Sequence, residues 1–325
     1  MAHPSRTPFA GRRRELNLLT ERLGSAREGR GSLVLVAGEP GIGKTRLIFE
    51  LGQRARSEGW QVLSGRAYDS DGMPPYFPLA EALRAYVRAC RSKELRTRLG
   101  KNAADVALVV PEVRDRLPDM PAAPAGIDEY GRYRVFESVS EFVLAIARSA
   151  PGAGLLLCLD DLHWGDQSTL LLLKYLAHKA PSAPLLVVGA YRTTELSRMH
   201  PLADVLADLR RDELAERLLL TSLSAEDTTT LIEGLAGAPA SAAVADAIYR
   251  ETDGHPFFVG EVVRQLQADG RNLSDVHAAT MQWGIPEGVR EVIGRRLSRL
   301  PAASNRLLQA AAVLGEDLTV DVLLN

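Results

Sequence analysis

The chain has 325 residues, 46% hydrophobic and 25% charged, which is enough for two or three packed units and excludes disorder on a large scale. A formal net charge of −2 supplies no bulk field for a polyanion, so neither non-specific nucleic-acid binding nor adsorption to an anionic membrane is supported. Cys90 and Cys158 are isolated in sequence, which excludes a Cys-x-x-Cys metal or redox motif and fits a reducing, cytoplasmic setting.

Met1 to Glu15 is rich in Arg and Pro and lacks the apolar centre of a signal peptide. No apolar stretch approaches the length of a membrane span, so secretion and membrane insertion are both disfavoured. Five short runs rich in Leu and Val follow in order: Leu33 to Ala37, Trp60 to Ala67, Gly154 to Asp160, Pro184 to Tyr191 and Arg217 to Leu220. Separated by helical patterns, they predict a mostly parallel sheet buried on both faces. Thr45 to Ser57 carries Leu47, Ile48 and Leu51 at helical spacing and ends at Gly59. Asp69 to Gly126 departs from the alternation. A Pro-rich stretch leads into an amphipathic helix over Leu79 to Arg91, then into a looser segment that reads as a linker, with a substrate lid as the alternative.

After the fifth strand, Ser224 to Leu235, Ala240 to Glu251 and Pro256 to Gln267 read as successive helices of a separate unit, the first opened by a Ser224/Asp227 capping pattern. Beyond a linker over Gly270 to Gly284 lie two more helical patterns, Pro286 to Leu300 and Ala302 to Leu314. The final apolar run, Asp321 to Asn325, suggests a domain cut short. The expected divisions are 1–30, an opening segment with one helix; 31–223, the core that holds the sheet; 224–284, a helical subdomain; and 285–325, an incomplete terminal domain.

Gly38-Glu39-Pro40-Gly41-Ile42-Gly43-Lys44-Thr45 is a complete G-x-x-x-x-G-K-[ST] phosphate loop placed directly after the first strand. Glycines let successive N–H groups converge on a phosphate, and the following helix adds the positive end of its dipole. Lys44 is placed to reach the β- and γ-phosphates, and the Thr45 hydroxyl to ligate Mg²⁺. Pro40, Gly41, Ile42, Gly43, Lys44, Thr45 and Arg46 are the nucleotide-binding candidates from this segment. The third strand delivers Asp160 and Asp161 at its C-terminal end, where ligands bind in open parallel sheets. Asp160 is the expected Mg²⁺ partner and Asp161 the group that orients an attacking water. Without the phosphate loop, such a pair would read as a strand-end turn.

Arg192, at the end of the fourth strand, senses a γ-phosphate if that strand neighbours the first; otherwise it is a solvated loop arginine. Lys44, Asp161 and Arg192 are therefore the catalytic candidates. His163 and Trp164 read as packing and capping residues with Asp166 and Ser168, because no ligand set for a metal is completed nearby. No G-x-S-x-G elbow and no Cys/His hydrolase signature appears.

With these pieces in order, the chain resembles the nucleotide-binding module of STAND ATPases, signal-transduction relatives of AAA+ proteins. The resemblance extends to the ATPase region of large bacterial LuxR-type ATP-binding regulators and to similar modules of some multidomain cyclases and kinases. Four further segments carry it. Phe9 to Glu15 is similar to the opening motif that packs on adenine, and Asp160 to Asp166 to the extended Walker B element. Tyr191-Arg192 resembles the sensor arginine, and Gly254-His255-Pro256-Phe257 the G-x-P motif whose proline contacts the base. The resemblance implies a five-stranded parallel sheet in the order 5-1-4-3-2, a helical subdomain and the start of a winged helix. It adds Gly11, Arg12 and Pro256 to the nucleotide-binding set. Many relatives carry Glu where Asp161 stands, one methylene longer, so weak or slow hydrolysis is expected. No arginine finger is assigned; Arg210 and Arg211 are candidates on charge alone.

The reading that follows is an ATP/ADP-binding switch with slow Mg²⁺-dependent ATPase activity, working with protein partners or with sensor and effector domains outside this sequence. It expects no membrane contact and no direct nucleic-acid contact. A non-hydrolysing nucleotide-dependent scaffold, an AAA+ motor or loader and a small-molecule kinase are the alternatives.

Overall fold

The computed structural model describes residues 8–70, 72–121, 129–150, 152–197, 199–274, 290, 294, 297–298 and 302–314. The chain divides into two compact units, Met1–Ser224 and Ala225–Asn325.

In the first unit, strands β1 (Ser32–Gly38), β2 (Gln61–Arg66), β3 (Leu155–Asp160), β4 (Leu185–Arg192) and β5 (Ala215–Leu219) form one parallel sheet in the order β2-β3-β4-β1-β5. This is the expected order read from its other edge. Because successive strand residues point to opposite faces, the sheet feeds two cores. Leu33, Leu35 and Ala37 of β1 face one; Val34 and Val36 face the other. The second core is closed by α1 (Arg13–Arg27) and α2 (Lys44–Ser57), which contribute Leu19, Leu23, Leu47 and Leu51. Each fully buried Leu supplies about 1.5–3 kcal/mol.

The opposite face is covered by α3 (Phe77–Ala89), α7 (Glu129–Ser149), α8 (Gln167–Lys179) and α9 (Pro201–Arg211). Here the structure corrects the reading of a linker or lid after α3. Residues 92–116 form α4 (Ser92–Leu99), α5 (Ala103–Val109) and α6 (Glu112–Arg116). Their Leu95, Leu99, Val106, Val110 and Val113 belong to the core. The helices are too short to show several turns of periodicity and are broken near Gly100 and Pro111, which is why the segment reads as loose. Long helix α7 went unpredicted.

The second unit contains α10 (Ala225–Ala236), α11 (Ala242–Thr252) and α12 (Pro256–Ala268), packed through Leu231, Ile232, Ile248, Val259 and Val263. Ser241 Oγ caps α11 by accepting from Val244 N at 3.3 Å, and Pro256 takes the first turn of α12, where its missing N–H costs nothing. A further helix covers Ala302–Leu314. Most of the segment expected to begin a winged helix, 285–325, lies outside the described residues.

Candidate nucleotide site

The chain leaves β1 through a turn that only glycine accommodates. A Cβ on Gly38 would stand 2.9 Å from both Ile42 Cγ2 and Leu220 O. Gly43 has φ 104°, a left-handed conformation that side chains disfavour, and stands at the N-cap of α2 with no side-chain cap. The first amides of α2 thus receive no acceptor from a capping side chain and carry the positive end of the helix dipole. Lys44, 6% exposed, folds back so that Nζ donates to Gly38 O at 2.9 Å and Glu39 O at 2.7 Å. Burial, and then repulsion from Arg192, lowers its pKa to about 8. Two carbonyls carry no full charge, so an anion at the loop would be a stronger partner for this ammonium.

Thr45 follows at the next position of α2, and its Oγ1 donates to Asp160 Oδ2 at 2.8 Å. Burial, and then the neighbouring Asp161, push the Asp160 carboxyl above its ordinary pKa. A cation at this corner would relieve both effects. The hydroxyl and carboxylate are hard oxygen donors that suit Mg²⁺, whose remaining ligands would come from water and phosphate. Among the described residues no cluster of three His, Cys, Asp or Glu side chains forms a self-sufficient metal cage. The donor set therefore fits a nucleotide phosphate accompanied by Mg²⁺.

Asp161 leaves β3 with φ 54° and begins the 3-10 turn Leu162–Trp164. Asp tolerates this left-handed conformation better than most residues. Its carboxylate, with the side chain 6% exposed, lies among three other groups. Arg66 donates to Oδ2 from Nε at 2.8 Å and from Nη2. Arg192 Nε is 3.8 Å from Oδ1, and so is His163 Nε2. His163 Nδ1 accepts from Arg192 N at 3.4 Å, which assigns the ring proton to Nε2. That nitrogen is also 3.4 Å from Glu195 Oε2. Burial lowers the His163 pKa to about 4, so the ring is neutral near pH 7.

Strand register explains the convergence: Arg66 stands opposite Asp160 across β2 and β3, and Arg192 opposite Gly38 across β4 and β1. Arg192, read from sequence as conditional on β4 neighbouring β1, thus reaches the end of the phosphate-loop strand. It also pairs with Glu195 at 2.6 Å and covers the Trp164 ring at 4.7 Å. Sequence reasoning missed Arg66 and Glu195. For Arg66 the available signal was a charged residue ending a strand, and for Glu195 an acidic residue three positions after Arg192; both read equally well as solvated. Asp166 caps α8, accepting from Thr169 N at 3.0 Å, and Tyr76 N donates to its other oxygen at 3.1 Å.

The opening segment lies beside α2. Gly11 and Arg12 both have left-handed backbone, with φ 66° and 62°. The Arg12 guanidinium donates to Ile42 O at 3.2 Å and to Thr221 O, and pairs with Glu15 at 3.1 Å. Arg46 lies over the rings of Phe9 at 5.7 Å and Phe49 at 5.6 Å. The Arg12 side chain is therefore engaged by the protein, while Pro40, Gly41 and Ile42 form the loop itself. Pro256 belongs to the second unit.

A G-x-x-x-x-G-K-T loop on the first strand of a parallel 2-3-4-1-5 sheet, facing an aspartate pair from the third, defines a P-loop NTPase. Its family is shown directly: the AAA ATPase domain profile matches residues 8–188, more than half the chain. This protein belongs to the AAA ATPase domain family, whose members are nucleotide-binding P-loop ATPases. The chain is 24% identical over 343 aligned residues to an uncharacterized protein of Rhizobium meliloti, covering 97% of this chain and 30% of that protein. It therefore spans less than a third of that relative's length. Among solved structures it resembles the Walker-type ATPase paby2304 of Pyrococcus abyssi, at TM-score 0.57 and 14% identity, covering 100% of this chain and 91% of that one. A STAND protein with a tetratricopeptide repeat sensor from Pyrococcus horikoshii aligns at TM-score 0.48 and 15% identity, over 99% of this chain and 38% of that one. Among the described residues no helix is long and apolar enough to cross a membrane.

Proposed function

We propose that this chain is an ATP/ADP-binding switch of the STAND kind with slow Mg²⁺-dependent ATP hydrolysis, and that it serves as the ATPase module of a LuxR-type transcriptional regulator. One observation carries the reading: Thr45 of the phosphate-loop helix and Asp160 of β3 are joined at 2.8 Å, with Asp161 next in sequence. Backbone amides of Gly41 to Lys44 receive the phosphates, and Lys44 exchanges its two carbonyl partners for phosphate oxygens. Thr45 and Asp160 hold Mg²⁺, which when bound neutralises charge on the β- and γ-oxygens. Asp161 orients the attacking water. Arg192 takes part of the γ-phosphate charge. Arg66 keeps the Asp161 carboxylate hydrogen-bonded, which supports slow turnover alongside the shorter Asp side chain.

The switch and regulator parts rest on the motif resemblance, in which Gly11, Arg12 and Pro256 contact the base. A nucleotide acts as a switch only by binding one conformational state more tightly than another. A tenfold preference supplies about 1.4 kcal/mol. In this reading the protein works in the cytoplasm, and sensing and output belong to protein partners or further domains. The Arg66–Asp161 pair favours one second reading, a nucleotide-dependent scaffold that does not hydrolyse.

The test is a nucleotide assay. Protein is purified and denatured, bound nucleotide is identified by chromatography, and phosphate release from Mg·ATP is followed on fresh protein. Co-purified ADP with turnover on the order of 10⁻⁴ to 10⁻³ s⁻¹, the range of an unassisted small GTPase, is expected. Tight ATP binding without phosphate release would establish the scaffold. Fast turnover stimulated by nucleic acid would point to a motor.

A further inference from the structure

The two arginines that flank Asp161 share a second feature. Arg66 lies over the Tyr68 ring at 5.9 Å and Arg192 over the Trp164 ring at 4.7 Å. Both rings line a single cavity of about 210 Å³ next to the Walker B turn. Phe77 also lines it, meeting Tyr68 edge-on at 5.8 Å, and Met73, Pro74 and Pro78 add apolar surface. The cleft is partly open to solvent and its lining is as polar as it is apolar, and its volume has room for one aromatic ring with a small substituent. Asp166 also lines the cavity, and its carboxylate already accepts from Tyr76 N, Thr169 N and Thr169 Oγ1. That negative charge disfavours an anionic ligand, while aromatic walls favour a flat partner over a puckered one.

We infer that the cavity walled by Tyr68, Phe77 and Trp164 binds a small neutral aromatic molecule, and that its occupancy regulates Asp161 through the stacked Arg66 and Arg192. A ring inserted between Tyr68 and Trp164 displaces the faces on which the guanidiniums rest. Each guanidinium addresses a different oxygen of Asp161: Arg66 the Oδ2 and Arg192 the Oδ1. Occupancy therefore changes the charge around both oxygens without touching the phosphate loop. The regulatory half of this inference rests on the ATPase reading; the binding half does not.

The experiment titrates the isotope-labelled full chain with phenol, without nucleotide, while NMR follows the Trp164 indole N–H and the Nε–H signals of Arg66 and Arg192. Saturable shifts of all three with one dissociation constant, on the order of 1 mM, are expected. Tyr68→Ala removes a half-exposed ring and weakens binding about three- to tenfold, whereas Tyr68→Phe retains it. No shift at about 10 mM phenol overturns the inference. Unchanged binding in Tyr68→Ala overturns the location, and an equal response to cyclohexanol overturns the ligand class. Phosphate release with saturating phenol should change at least about twofold. Hydrolysis that phenol leaves unchanged overturns the regulatory half alone, while phenol binding with no hydrolysis at all overturns that half together with the ATPase reading.

Discussion

Arg66 Nε donates to Asp161 Oδ2 at 2.8 Å, although 95 residues separate the two in sequence. The pair exists because β2 and β3 are parallel neighbours in a register that ends with Arg66 opposite Asp160. A carboxylate that accepts two bonds from a guanidinium has fewer lone pairs left to hold a water. Asp161, proposed to orient the attacking water, is thus held by Arg66 on one oxygen and faced by Arg192 on the other.

Replacing Arg66 tests that restraint. Arg66→Ala should raise single-turnover phosphate release several-fold while leaving nucleotide affinity near its original value. It should also lower stability by about 1–3 kcal/mol, because a nearly buried carboxylate loses its partner. Thermal melts and rapid-quench assays read both effects. Unchanged hydrolysis would mean that Arg66 does not restrain Asp161, and a fall would mean that it supports the reaction.

Lys44→Ala should weaken ADP binding at least about 100-fold, equivalent to 2.7 kcal/mol. Asp161→Asn should preserve binding and reduce turnover about 100-fold or more. Titration calorimetry and phosphate release separate the two. Retained affinity in the lysine variant would remove the phosphate loop from the site, and persistent turnover in the aspartate variant would assign the water to another residue.

Chelating Mg²⁺ should lower ATP affinity in the native protein and stop hydrolysis. In Thr45→Ala, where the hydroxyl donated to Asp160 is gone, ATP affinity should respond little to Mg²⁺. Equal responses of the two proteins in paired titrations would place the ion elsewhere.

His163 makes stability depend on pH. Burial holds its pKa at about 4 against an ordinary 6.5, so the unfolded chain takes up a proton across that window before the folded chain does. This contribution is present above pH 6.5 and is lost as pH falls toward about 4. His163→Gln should show a shallower decline in Tm than the native protein over that range. Parallel melting curves would assign the decline to carboxylates instead.

The helices after α3 make a prediction about the fold. Leu99 is 1% exposed, so Leu99→Ala should cost about 2–5 kcal/mol in denaturant unfolding. A loss within about 0.5 kcal/mol is what a surface or linker position would give.

The parts legible in sequence were those that local chemistry encodes. The phosphate loop is one contiguous stretch whose glycines answer backbone demands within eight residues, and Asp160 and Asp161 end an apolar strand of ordinary length. The central strands β1, β3 and β4 were visible as apolar runs because they are buried on both faces and tolerate few polar residues, whereas the edge strands β2 and β5 are partly exposed and carry polar residues. The tertiary structure alone decided that Arg66 meets Asp161, that Arg192 stands opposite Gly38, and that both arginines lean on the walls of one cavity. Strand order and register are properties of pairs of distant segments, and nothing around Arg66 distinguishes a solvated strand end from a partner of the aspartate. Residues 92–116 were obscure for a related reason: one- and two-turn helices gain their stability from the surface they bury on α3 and α7, and their own sequence scarcely records it.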